Sequence, residues 1–227
     1  MPIVELEKSH HRLVPEIITL YEDGIFPRLS AVKRVVRKSG LVYLGYGQDC
    51  VVTKSTLLPE TVVAINGHEL TCREAKNIYY THKLLKTIFP HNFPAIRAVF
   101  GKHPDGIERG LTFSYREEKN GKKLDRDSYS RLDKMAVYPF RRVADFLVDL
   151  AVPIDEIDNF RNNFVLCNDG GVYFLDTLMI YGGDPKLEVS GRITDHMRSQ
   201  KYSQQEIKVA KDCLARIRFI NSQTGGL

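Results

Sequence analysis

Short apolar runs separated by polar, glycine- or proline-bearing turns dominate the first half of the chain: AVKRVV, LVYLGYG, CVVTKS, TVVAI, then AIRAVFG (95–101) and GLTFSYRE (110–117). Runs of this length, rich in β-branched and aromatic residues, predict strands. Their close succession predicts an antiparallel meander. Asn66-Gly67, after TVVAI, suits either a type I′ hairpin turn or the end of a strand before a helix. One segment breaks the rhythm. Ala75, Ile78, His82, Leu85 and Phe89 recur at three- and four-residue intervals from Thr71 onward, the period of an amphipathic helix, and Pro90 closes it. About five strands with one inserted helix are therefore expected.

The polar run REEKNGKKLDRDS (116–128) reads as a linker dividing the chain nearly in half. Beyond it, PFRRVADFLVDL (139–150) predicts a helix with Pro139 in its first turn and Val143, Phe146, Leu147 and Leu150 on one face. FVLCNDGGVYFL (164–175) predicts two strands around an Asn-Asp-Gly-Gly turn. A last helix begins near Ser203, which forms a capping box with Glu206, and runs through Ile207, Ala210, Leu214 and Ile217. The class is α+β, divided as an N-terminal extension (1–30), a strand-rich part (31–118) and a helical part (119–227).

Composition narrows this only slightly. With 227 residues, 43% of them hydrophobic, the chain has enough apolar mass for a folded core, and its net charge of +5 is too modest to select a partner. Cys50, Cys72, Cys167 and Cys213 form no CxxC pair and read as reduced, mostly buried thiols. The opening MPIVELEKSHHRLVPEI is charged and broken by prolines, unlike a secretory signal or membrane anchor, and no later apolar run reaches the roughly 20 residues of a span. The expectation is a protein without membrane contact, cytoplasmic or delivered into a host cell by a dedicated secretion system. Lys33, Arg34, Arg37 and Lys38 read as a solvated basic face, and His82 as a core histidine on the apolar helix face.

The chemistry concentrates around the second-half hairpin, in IDNFRNNFVLCNDGGVYFLDT (157–177). Asp158 precedes the first strand, Asn163 stands at its start, and Asp176 follows the second. A tight hairpin returns the chain to its own starting edge, so Asn163 and Asp176 are expected to converge. Phosphoryl transfer needs such a group: hard oxygen ligands for magnesium beside nucleotide phosphates, and a further carboxylate at the attacking hydroxyl. The order Asp, four residues, Asn, a strand pair, Asp resembles the catalytic segment of the protein-kinase-like superfamily. That resemblance implies Asp158 as catalytic base, with Asn163 and Asp176 as ligands of the magnesium that accompanies ATP. The segment departs from the family in having Glu156-Ile157 where His-Arg is usual, and Thr177-Leu178 where Phe-Gly is usual.

The resemblance extends to the first half, since a kinase small lobe is a five-stranded antiparallel sheet with one inserted helix. It implies a two-lobed fold whose C-terminal lobe is reduced and helical. LGYGQDCVV resembles a glycine-rich phosphate loop, giving Gly45 and Gly47, and TVVAIN resembles the strand that usually carries the nucleotide lysine, with Asn66 in the lysine's place. In a second register RKSGLV is the phosphate turn and CVVTK the lysine strand. Lys54 is the candidate cation in both. Glu74 is either its helix partner or, with Thr71, a capping-box residue. The helix motif REAKNIYY and the short tail make the chain most similar to compact bacterial kinase-like proteins, the YrbL group and type III effector kinases. An ATP- and magnesium-dependent serine/threonine protein kinase acting on a host protein, such as a chaperone, is the implied function. A small-molecule kinase and a pseudokinase that binds partners without transfer are the alternatives, and nucleic acid is not an expected partner.

Overall fold

A five-stranded antiparallel sheet takes up most of the strand-forming runs. The computed structural model describes residues 29–38, 41–46, 50–54, 60–68, 72–102, 110–123, 164–168, 171–175, 180 and 187–223, and every structural statement below concerns these. Helix α1 (Leu29–Lys38) leads to β1 (Val42–Tyr46), β2 (Cys50–Lys54), β3 (Thr61–His68), helix α2 (Cys72–Ile88), β4 (Ile96–Lys102) and β5 (Gly110–Glu117). The strands lie in the order β1-β2-β3-β5-β4, all neighbours antiparallel, so the helix stands in the chain between the third and fourth strands. The chain divides into two compact units, Met1–Lys76 with Ile96–Glu118, and Asn77–Ala95 with Lys119–Leu227.

Alternation along the strands fixes which side chains share a face. Val51 and Thr53 pair with Ile65 and Val63, and Val63 with Tyr115, and all five are buried on one face. Tyr43, opposite Thr53, points the same way, and Lys33 of α1 lies over its ring with Nζ 5.0 Å from the centroid. One strand expectation is corrected here. AVKRVV is helix, not strand: Leu29, Val32 and Val36 recur at helical spacing, Val36 is fully buried, and Arg37 and Lys38 complement the dipole at the C-terminal turn. Of the two alternatives for Asn66-Gly67, the hairpin turn is excluded and the strand ending before a helix is what forms: β3 runs through the pair to His68, with Asn66 and Gly67 opposite Thr112 and Leu111, and α2 follows from Cys72.

The second unit holds a smaller sheet of β6 (Gly121–Lys123), β7 (Phe164–Cys167) and β8 (Val172–Phe174), in that order and antiparallel, with helices α3 (Leu187–Ser199) and α4 (Gln204–Ser222). The hairpin around Asn168–Gly171 is as expected. The linker reading of 116–128 is not, since Arg116 and Glu117 complete β5 and Gly121–Lys123 pair with Val165–Cys167. Gly121 permits that pairing: a Cβ there would stand 2.2 Å from the Leu166 carbonyl oxygen. The expected helix over 139–150 lies outside the described residues.

One core joins Leu84, Leu85 and Ile88 of α2, Phe93, Phe174, Ile193 and Met197 of α3, and Ile207, Leu214 and Ile217 of α4. Cys213 belongs to it, and burial pushes its thiol up to about 11, so this cysteine is an unreactive core residue. Cys167 is likewise buried, as is His82. The capping box forms as expected: Ser203 Oγ accepts from Glu206 N at 3.2 Å while Glu206 Oε2 accepts from Ser203 N at 2.8 Å. Hydrogen bonds from the Ser203 side chain and then its backbone hold the Glu206 carboxyl below its usual range.

Helix α3 ends in a Schellman arrangement, with Tyr202 N donating to Met197 O and Lys201 N to Arg198 O, both at 3.0 Å. The left-handed position falls on Lys201, at φ 61°, where glycine is usual. Lys201→Gly is therefore expected to stabilise the protein by about 1 kcal/mol, raising the melting midpoint by about 2–4 °C in a calorimetric scan. An unchanged or lower midpoint contradicts this. Among the described residues no helix is long and apolar enough to cross a membrane.

Candidate functional site

The second face of the five-stranded sheet carries the first unit's polar chemistry. Lys54 ends β2, opposite Val42 of β1 and Val62 of β3, and Val62 is opposite Arg116 of β5. Cross-strand partners share a face, so this row places two cations on one side of the sheet with a valine between them. The neighbouring row on that face is Val52, Ala64 and Ser114. Its two ends differ. Ser114 and Arg116 are buried at 0% and 3% exposure, whereas Val42 is 49% exposed and Leu44, at the β1 bulge, 46%. Lys54 therefore stands beside accessible apolar surface.

Lys54 Nζ donates to Glu118 Oε2. Glu118, the residue after β5, is held in place by its own N–H, which donates to Glu60 O at 2.8 Å. Neither Glu118 nor Arg116 was singled out in the sequence, because both fell in the run read as a linker. A signal was available: Ser114, Arg116 and Glu118 continue the alternation of β5 opposite Phe113, Tyr115 and Glu117.

The observed order of strands bears on the two lysine registers. With AVKRVV helical, the sheet begins at Val42, Lys54 closes its second strand, and the strand that leads into α2 is β3, which carries Asn66. Glu74 is the third residue of α2. The helix opens at Cys72, one residue after Thr71, where a Thr71 capping box would start it. Gly45 lies within β1, at the register shift opposite Val52, and a Cβ built there meets nothing within 4 Å. Among the described residues nothing therefore requires glycine there.

Gly47, Asp158, Asn163 and Asp176 lie outside the described residues. The two strands between Asn163 and Asp176 are described. Phe164 of β7 pairs with Phe174 of β8, so these two residues form the open end of the hairpin. Asn163 is the residue before one, and Asp176 is two past the other. The second limb, β8, is fastened within the second unit. Phe174 N donates to Asn92 O at 2.8 Å, and Asn92 Nδ2 donates to Val172 O at 3.1 Å. Four residues beyond Asp176, Ile180 is gripped at both backbone groups: its N–H faces Asn77 Oδ1 and Thr81 Oγ1 at 3.3 Å, and its carbonyl accepts from Asn77 at 3.0 Å and Asn221 at 3.1 Å. Among the described residues no cluster of three or more His, Cys, Asp or Glu is placed to hold a metal ion.

Compared with protein-family models the chain matches none, and compared with curated proteins it has no significant match.

Proposed function

We propose that the protein is an ATP- and magnesium-dependent phosphotransferase whose acceptor is a serine or threonine hydroxyl of another protein. The observation that carries this reading is the register of β7 on β8, which turns the chain back so that the positions next to Asn163 and Asp176 share one end of a hairpin. An amide carbonyl and a carboxylate are hard oxygen donors of the kind magnesium takes, and they suit a metal that also binds phosphate oxygens. Support comes too from the five-stranded antiparallel sheet with one helix between its third and fourth strands. That is the small-lobe pattern implied by the kinase resemblance.

In this reading Lys54 supplies a cation to the phosphates, and the exposed Val42 beside it offers apolar surface to the rest of the nucleotide. Asp158 accepts the acceptor hydroxyl's proton as that oxygen bonds to the γ-phosphorus, the β–γ bridging bond breaks and ADP leaves. Asn66, standing in the strand ahead of α2 where the family usually has lysine, favours a second reading, a nucleotide-binding module without transfer.

Incubation of the purified protein with γ-labelled ATP, magnesium and a cell lysate separates these. A labelled protein band with the unmodified chain and none with Asp176→Ala is expected. Nucleotide binding with no transfer to any acceptor supports the second reading, and the absence of nucleotide binding sinks both.

A further inference from the structure

Lys54 and Glu118 are 64 residues apart in the chain and meet through strand order and side-chain parity. β3 lies between β2 and β5, and the register leads from Lys54 to Val62 and on to Arg116. Glu118, two residues past Arg116, falls on the same face, so its carboxylate and the Lys54 ammonium reach each other over Val62. The carboxylate end is the more shielded: the Glu118 side chain is 13% exposed and that of Lys54 30%. A fully hydrated surface pair would leave the lysine free to wander. Here one partner is anchored by its backbone and largely withdrawn from water, which orients the other.

We infer that Glu118 is the positioning residue for Lys54 in nucleotide binding, the role the kinase resemblance gives to Glu74; this rests on the nucleotide reading above. An ammonium has three donors. One goes to Glu118, and two remain for phosphate oxygens. A lysine already held in place loses less rotamer freedom when the ligand arrives, so the ion pair raises affinity without touching the ligand. The exposed Val42 leaves the approach to Lys54 open on the side away from β3.

The test is calorimetric binding of ATP with magnesium to the unmodified protein, Lys54→Ala, Glu118→Gln, Glu118→Asp, the double variant Lys54→Ala/Glu118→Gln, and Glu74→Gln, each with a melting curve. Glu118→Gln is expected to weaken binding about tenfold, the size of one lost charge-assisted hydrogen bond. Its melting midpoint is expected to stay within about 2 °C of the parent's, as for other changes at partly exposed side chains. Lys54→Ala weakens binding at least as much, and the double variant no further, because Glu118 acts only through the lysine. Glu118→Asp keeps part of the affinity. Unchanged binding in Glu118→Gln, additive losses in the double variant, or coupling to Lys54 from Glu74 instead of Glu118 overturns the inference while the nucleotide reading stands. No binding by the unmodified protein overturns both.

Discussion

Asp158→Asn is expected to bind ATP and magnesium within about twofold of the parent protein yet transfer phosphate roughly 10²–10⁴ times more slowly, the usual contribution of a general base. Asp176→Asn is expected to lose both binding and transfer. The difference follows from the two roles proposed above. A base acts on the acceptor hydroxyl and meets its proton only as the new bond forms, so removing it lowers kcat and spares ground-state affinity. A metal ligand acts on the charged nucleotide itself: replacing the carboxylate by an amide removes a negative charge from a divalent site, and affinity falls before any chemistry begins. Calorimetric titration with ATP and magnesium, beside initial rates with labelled ATP, reads the two effects separately. Equal loss of binding in both variants, or a rate in Asp158→Asn above about a tenth of the parent's, would sink the assignment of Asp158 as base.

Local signals were legible in the sequence wherever one segment decides its own conformation. The alternation of CVVTK and TVVAI, the pairing of the two strands around Asn-Asp-Gly-Gly and the Ser203–Glu206 capping box each depend on residues within a few positions of one another, and each element formed as expected. What failed was decided at longer range. β6 is Gly-Lys-Lys, with no strand propensity to detect; it is a strand because β7 pairs with it. α1 misled through its valines, whose β-branching suggests a strand, while the helical spacing that buries Val36 was the truer signal. α3 was not anticipated, because Gly191 interrupts a weak pattern that acquires meaning only once Ile193 and Met197 pack against α4. For the site, the strand pair between Asn163 and Asp176 was legible as a local feature, while these two residues and Asp158 lie outside the described residues. The Lys54–Glu118 pair was not legible, because it depends on which strand lies between β2 and β5, a property of topology with no local signature.

A large stability loss is expected at Asn77, a residue with no part in the proposed chemistry. Its side chain is 4% exposed and fully engaged: Nδ2 donates to Ile180 O and to Asn221 Oδ1, both at 3.0 Å, while Oδ1 accepts from Thr81 Oγ1 at 2.9 Å and from Ile180 N at 3.3 Å. Asn77→Ala removes all four bonds from a buried network and leaves a void in their place. Losses of this kind amount to about 2–4 kcal/mol, or roughly 5–15 °C in melting midpoint for a chain of this size. Thr81→Val is the milder comparison, because Asn77 would still hold Ile180 at both N–H and carbonyl. Asn77→Asp adds a direction in pH. It places an acceptor-only carboxylate against the Ile180 carbonyl, and burial favours the neutral form, so its carboxyl should titrate above the usual range. With the folded-state pKa above the unfolded one, the destabilisation is smallest below the ordinary carboxyl range and grows as pH rises from there through the folded-state value. Hydrogen exchange at the Ile180 amide locates the effect, since that N–H should exchange faster in Asn77→Ala than in Thr81→Val. A midpoint shift under about 2 °C, or unaltered exchange at Ile180, would show that the grip on this strand end comes from elsewhere in the core.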